Sequence, residues 1–215
     1  MTNLFTVFDP CTGVFSLNWF SVLFFFFLFP YNFWFVKGSF LSLFFNLLSF
    51  IFYEFFNLTN YINMIFFMFS LFLFVLSINL FGLVPYVFTS SSHLIFSLGL
   101  SLPIWFCLMC FGWLNNLNSM FIHLVPLGTP YLLMPFMVLI ETISNFIRPF
   151  SLAVRLSANM VAGHLLMSLL GENSLSFLMV VFFFVFFSIF IFELAVSFIQ
   201  SYVFVTLSVL YSSEV

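Results

Sequence analysis

Long apolar runs, separated by short polar or proline-containing stretches, make up most of the chain. A helix that spans a bilayer needs roughly 20 apolar residues. Residues 17–36, 61–84 and 93–114 each supply one such run, and two longer stretches cover 131–170 and 174–212. The runs lack the alternation of a membrane barrel, and backbone groups in lipid must bond internally. The pattern therefore predicts an all-α membrane protein of about five transmembrane helices in a single membrane domain.

Residues 39–58 carry a different pattern, with polar positions repeating every three or four residues. This period places one polar face on an otherwise apolar helix. It favours an amphipathic helix that lies in the membrane interface, with a spanning helix that turns its polar face toward other helices as the alternative. The polar positions are Ser39, Ser42, Asn46, Ser49, Tyr53 and Asn57.

Short polar stretches mark the predicted connections. Thr89–Ser92 and Asn115–Ser119 are interpreted as loops, and a turn at Gly171–Ser174 separates the last two segments. Both of those segments exceed the length needed to cross a bilayer upright. They predict two long, tilted helices that form an antiparallel hairpin.

Charge is scarce. Only 4% of the residues are charged and 65% are hydrophobic, whereas a soluble domain has about 25% charged residues. The single lysine, Lys37, excludes a nucleotide-binding P-loop, and no basic patch for nucleic acid is present. Cys107 and Cys110 form a C-x-x-C without further ligands, so we interpret them as core cysteines and expect no cofactor.

Two features of composition bear on the origin of the chain. Met1–Ser16 contains no Lys or Arg, which argues against a cleavable presequence. The 42 phenylalanines exceed what packing requires and suggest a uracil-rich, organellar coding source. We therefore expect an organelle-encoded protein.

The charged residues are concentrated where lipid is expected. Glu141, Arg148, Arg155 and Glu193 all lie within the last two segments. A charge at the centre of a membrane helix costs about 2.5–3.5 kcal/mol on insertion scales and marks an ion or substrate path. At 100° per residue, the first three fall within an arc of about 40°. Asn145 and Asn159 share that arc.

The last segment carries a matching polar stripe that includes Glu193, Ser197 and Gln200. One antiparallel register places Arg155 against Gln200 and His164 near Glu193. His164 projects about 180° from Arg155 on an ideal helix, so it belongs to a separate compartment unless the helix bends. An internal ion pair of Arg155 with Glu141 or Glu193 is the structural alternative.

Small residues surround Arg155 and allow another helix to approach closely in lipid. They predict that the surface of a partner passes this face of the helix. The small residues are Ala153, Ser157, Ala158, Ala162 and Gly163.

Several motifs in order, from about residue 79 to 211, resemble subunit a of mitochondrial F-type ATP synthases. The resemblance is specific because it rests on a series of motifs and not on one arginine. The motifs are Asn79–Tyr86 (NLFGLVPY), His123–Pro130 (HLVPLGTP), Ile140–Ser144 (IETIS), Leu152–Leu156 (LAVRL), Ala162–Leu166 (AGHLL), Glu193–Val196 (ELAV) and Ile199–Phe204 (IQSYVF).

The resemblance implies a non-catalytic stator subunit of the mitochondrial inner membrane, which provides two offset half-channels for protons beside a rotating ring of c subunits. Its expected partners are the c-ring, the peripheral stalk, other membrane-sector subunits and lipid, with no nucleotide bound directly. Arg155 would face the ring carboxylates. Gln200 and Asn159 would lie beside Arg155. His164 and Glu193 would serve the half-channel that opens to the intermembrane side, and Glu141 would serve the matrix side.

The residues alone leave two other classes open: a secondary transporter, and a structural subunit of another organellar membrane complex. Internal repeats, which many transporters have, are not visible. For Arg148 we favour a structural role, and for His93 and His123 an interfacial position. We expect Glu54 to snorkel or to face water.

Overall fold

A computed structural model describes residues 4–24, 38–58, 62–84, 86–125, 130–172 and 179–214. Within these residues the regular structure is entirely helical, so the predicted all-α membrane class is confirmed. Of the first predicted span, 17–36, a 3-10 helix covers Leu17–Phe24. Residues 25–36, with Pro30, lie outside the described residues.

Six α-helices follow one another in the described part of the chain. They are α1 (Ser39–Leu58), α2 (Ile62–Gly82), α3 (Leu94–Asn115), α4 (Leu117–His123), α5 (Met134–Glu172) and α6 (Met179–Glu214). Short 3-10 helices occupy Leu4–Phe8, Leu17–Phe24, Ser90–Ser92 and Tyr131–Leu133.

Four of the described helices, α2, α3, α5 and α6, are long and apolar enough to cross a membrane. The 39 residues of α5 and the 36 residues of α6 correspond to about 58 Å and 54 Å of helix. A hydrocarbon core is about 30 Å thick. These two helices must therefore tilt, extend beyond the lipid, or do both.

The interpretation of Asn115–Ser119 as a loop is wrong. Only Asn116, at φ −128° and ψ 53°, leaves the helical conformation, and α4 begins at the next residue. The rings of Trp113 and Phe121 meet edge to face with centroids 5.1 Å apart. Packing of apolar side chains has overridden the low helix propensity of the asparagines.

The expectation that Cys107 and Cys110 lie in the core is also wrong, because both are exposed. The buried face of α3 is formed instead by Ser97, Ser101, Leu108 and Gly112. At 100° per residue these four share one side of the helix, and the cysteines fall outside it. A thiol behaves as a small apolar group and is therefore suited to a surface that faces lipid.

The apolar core lies where α1, α2, α5 and α6 meet. Helix α2 packs along α6, α3 along α5, and α5 along α6. The buried core side chains are Phe55 of α1, Ile65, Met68, Phe72 and Val75 of α2, Leu152 and Leu156 of α5, and Phe204, Val205 and Val209 of α6.

Helix α1 matches the amphipathic pattern of 39–58. Phe55 is fully buried on α1, whereas Asn46, Ser49 and Tyr53 are exposed. Glu54 accepts a hydrogen bond of 3.1 Å from the hydroxyl of Tyr202 on α6. This bond joins α1 to α6. Its position in the membrane interface stays a prediction.

Polar side chains are buried at the end of α2 and in the turn that follows it. Asn79 and Ser91 are fully buried, and Thr89 and Ser90 are at most 2% exposed. The 3-10 helix Ser90–Ser92 packs against α5. The side-chain polar atoms of Asn79 and Ser91 have no hydrogen-bond partner among the described residues. This end of the bundle therefore provides a polar interior beside α5.

Removal of the Phe204 side chain tests the core. We expect Phe204→Ala to destabilise the packing of α6 by about 3 kcal/mol, since it leaves a cavity among α1, α2 and α5. Phe198→Ala on the same helix is the control, because Phe198 is 49% exposed. Thermal release of the subunit from the detergent-solubilised complex measures both. Equal release temperatures for the two variants would contradict this core.

Candidate functional site

Arg155 lies near the middle of α5 with its side chain exposed. Its neighbours Leu152, Ala153 and Leu156 are at most 6% exposed, so the helix turns one side to the core and Arg155 away from it. Among the residues that the structure describes, none forms a hydrogen bond or ion pair with Arg155. The described part of the chain therefore does not contain the internal ion pair considered as an alternative.

The surface around Arg155 is a narrow stripe of small side chains. Ser151, Ala158 and Ala162 are exposed on the same side of α5 as Arg155, and the four positions fall within about 60° of one another. Small residues on a membrane helix let a neighbouring helix approach closely. A guanidinium at the centre of such a stripe is positioned to contact a group on that neighbour.

Next to Arg155 on the helix, Asn159 turns toward α6. Its amide nitrogen donates a hydrogen bond of 3.0 Å to the side-chain oxygen of Gln200, which is 7% exposed. The predicted register paired Gln200 with Arg155. The structure instead pairs Gln200 with Asn159, one turn further along α5. Asn159 and Gln200 therefore form a hydrogen-bonded polar pair next to Arg155.

His164 lies on the opposite side of α5, as the 180° offset predicted. Its ring interacts with the backbone of Gly82 at the end of α2 and meets the ring of Phe8 edge to face, with centroids 6.3 Å apart. The Nε2 atom is buried and has no hydrogen-bond partner within the described ranges. A ring nitrogen without a partner can donate or accept one further hydrogen bond.

Glu193 approaches α5 at Gly163, the residue before His164. The carboxyl group is in contact with the glycine, and a Cβ atom at position 163 would collide with it. Glu193 is 6% exposed. Glycine at this position therefore lets an acidic side chain of α6 reach the helix that carries the histidine, as the predicted antiparallel register requires.

A separate compartment lies at the other end of α5. It is a cavity of about 530 Å³ between α3, α5 and α6. On its wall, Arg148 forms an ion pair of 3.6 Å with Glu141 and stacks 4.8 Å from the ring centroid of Tyr211. The remaining walls are mainly apolar or aromatic and include Trp105, Met109, Trp113, Met120 and Phe146.

The cavity at Glu141 and the region of His164 and Glu193 lie on either side of Arg155 along the helix axis. Glu141 precedes it by about 21 Å and His164 follows it by about 14 Å, at 1.5 Å per residue. Their separation is close to the thickness of a hydrocarbon core, about 30 Å. The arrangement places titratable groups on either side of a central cation along α5.

Two features of the site were missed at the sequence level. Tyr211 lies within 20° of Gln200 on α6, and this shared face was a usable signal. The contacts of Phe8 had no such signal, because they join segments 85 or more positions apart. Among the described residues, no group of three His, Cys, Asp or Glu side chains comes together as metal ligands.

The fold and the site define a polytopic helical membrane protein whose ionisable side chains are gathered on two long, antiparallel helices. The family profile described as ATP synthase A chain matches residues 12–213. The chain belongs to this family and is a subunit of the membrane sector of ATP synthase. This decides between the classes that the residues alone left open.

Full-length relatives agree with the family. The chain is 49% identical over 222 residues to ATP synthase subunit a of Drosophila melanogaster, with 100% of this chain and 99% of the relative covered. It is 49% identical over 224 residues to the subunit of Aedes albopictus, with the same coverage. The subunit of Locusta migratoria is 46% identical over 224 residues, again with 100% and 99% covered.

The contact of Glu193 with Gly163 predicts that Gly163→Ala impairs ATP synthesis, although the same change ordinarily stabilises a helix. Replacement of glycine by alanine within a helix ordinarily stabilises it by about 0.5–1 kcal/mol. We expect Gly163→Ala instead to displace the Glu193 carboxyl group and to lower proton-driven ATP synthesis several-fold. Gly99→Ala is the matched control, because an added Cβ at Gly99 meets no atom within 4 Å. Equal synthesis rates in the two variants would contradict a role for the contact.

Proposed function

We propose that this chain is the stationary proton-translocating subunit of the ATP synthase membrane sector. It provides two offset half-channels, and Arg155 faces the carboxylates of a rotating c-ring. The observation that carries the proposal is the position of Arg155, exposed on a stripe of small residues between the contact of Glu193 with Gly163 and the cavity that contains Glu141. The membrane is the mitochondrial inner membrane, and the subunit is organelle-encoded and not catalytic by itself.

The chemistry of arginine suits this position. A guanidinium keeps its proton in proteins, so Arg155 is a constant positive charge and does not pass protons across the membrane. A lysine there would be able to release its proton when desolvated. The nearby cation favours the ionised form of an approaching carboxylic acid. Each ring carboxyl group therefore loses its proton as it passes Arg155.

Proton supply is assigned to His164 and Glu193. Glu193 contacts α5 at Gly163, about 80° around the helix from Arg155, and the next residue, His164, lies about 180° from Arg155. Histidine accepts and releases protons near neutral pH. The pair passes protons from the intermembrane side to a ring carboxylate, and Asn159 and Gln200 hold the two helices together beside Arg155.

Proton release is assigned to the cavity that contains Glu141. Arg148 and Tyr211 hold the Glu141 side chain at the cavity wall. A proton that leaves the ring near this cavity reaches a carboxylate about 21 Å along α5 from Arg155. The two paths are thus offset along the membrane normal. Protons cross only if the ring turns, and the membrane potential contributes about 2.3 kcal/mol per charge per 100 mV.

The role of Arg155 is tested by Arg155→Ala. We expect this variant to abolish proton-driven ATP synthesis while the assembled complex stays detectable on a native gel, because Arg148, the other cation on this side of α5, lies about 10 Å away along the helix and is paired with Glu141. Ser151→Ala, one turn earlier on the same exposed side, is the control and should keep near-normal synthesis. Retained coupling in Arg155→Ala would refute the assignment.

The supply path is tested by His164→Ala and Glu193→Ala. We expect each variant to slow proton uptake several-fold without abolishing it, since water can replace one relay group but carries protons less readily to a buried site. Proton flux into energised vesicles across a pH series provides the measurement. Wild-type flux at every pH would remove these two residues from the path.

A further inference from the structure

The backbone and the side chain of Phe8 contact two different histidines. Its carbonyl oxygen accepts a hydrogen bond of 3.0 Å from Nε2 of His93. Its ring meets the ring of His164 at 89°, with centroids 6.3 Å apart. His93 immediately precedes α3 and His164 lies on α5. One residue of the N-terminal segment therefore joins the start of one membrane helix to the candidate proton carrier on another.

His93 is held firmly in the position that makes this bond. The centroid of its ring lies 5.3 Å from that of Trp19 and 5.2 Å from that of Phe88. The rings of Trp19 and Phe88 also meet each other, at 5.5 Å. Two aromatic contacts restrict the imidazole, so its Nε2–H points at the Phe8 carbonyl group with little freedom.

The two contacts place an apolar cover on His164. The 3-10 helix Leu4–Phe8 packs on α5, and Gly82 occupies another side of the imidazole. His164 is partly buried, and the Phe8 ring, which meets the imidazole edge to face, covers one side of it. The carbonyl bond to His93 fixes where the Phe8 ring can be.

We propose that Phe8 and His93 are positioning residues for His164. His93 fixes the Phe8 backbone, and the Phe8 ring orients the imidazole and shields it from dissolved solutes larger than water. The importance of this orientation for proton transfer rests on the proposed function of His164. The shielding of His164 by Phe8 does not depend on that function. His93 is thus more than a residue at a helix end, because it holds the Phe8 backbone in place.

The shielding is tested by the rate at which diethyl pyrocarbonate modifies each histidine in the intact complex, measured by mass spectrometry. We expect Phe8→Ala and His93→Ala to raise the rate at His164 about tenfold, since the loss of a hydrogen bond or an aromatic contact shifts an equilibrium by roughly that factor. His93→Gln should stay near the wild-type rate, because its amide Nε2 can donate the same bond.

Two references accompany this measurement. Phe5→Ala is the matched control, because Phe5 lies in the same short helix and is 68% exposed. Modification of free N-acetylhistidine added to the same samples normalises the reagent dose. An unchanged rate at His164 in both Phe8→Ala and His93→Ala would overturn the proposal, and so would equal rates in His93→Gln and His93→Ala.

Proton uptake by the same variants tests the orienting role. We expect Phe8→Ala and His93→Ala to slow uptake several-fold in assembled complexes, with recovery in His93→Gln. Uptake at the wild-type rate in both alanine variants would overturn the orienting role. If His164→Ala itself keeps wild-type uptake, the proposed function of His164 fails, while the modification rates still decide whether Phe8 shields it.

Discussion

The close antiparallel packing of α5 on α6 is the constraint on which the rest of the structure depends. Lipid offers no hydrogen bonds, so ionisable and amide groups must find partners inside the protein. Along the hairpin, Arg148 stacks on Tyr211, Asn159 donates a hydrogen bond to Gln200, and the carboxyl group of Glu193 lies in close contact with Gly163. The glycine is decisive, because any side chain there would hold the carboxyl group away from α5.

Arg155 is the exception to this packing. Every other ionisable group on the two helices whose side chain is described lies against a neighbour within the chain, whereas Arg155 is exposed on a surface of small residues. A permanent charge in lipid is costly, and in the proposed function a carboxylate of the c-ring supplies the opposite charge. The same helix places titratable groups toward both of its ends. A central cation with an offset group on each side is the geometry that a rotary proton path requires.

The regular turn of an α-helix, 100° per residue, predicted much of this arrangement, because the face on which each residue lies depends only on that angle. It placed His164 opposite Arg155 and set the antiparallel register to within one turn. Two predictions that did not rest on helix geometry were wrong. The polar composition of Asn115–Ser119 predicted a loop where Phe121 packs on Trp113, and the absence of further ligands led us to expect Cys107 in the core, whereas serines and glycine form the packing face of α3. The contact of Phe8 with His93 and His164 was out of reach, since no periodicity relates the N-terminal segment to α3 or α5.

The most direct test is the distance from the Arg155 guanidinium to the nearest ring carboxyl group in a structure of the whole assembly. The account predicts a separation of about 4–6 Å in at least one rotor position, the range over which a cation favours an ionised acid. A guanidinium directed into lipid away from the rotor, or bound to an acidic residue of its own chain, would contradict it.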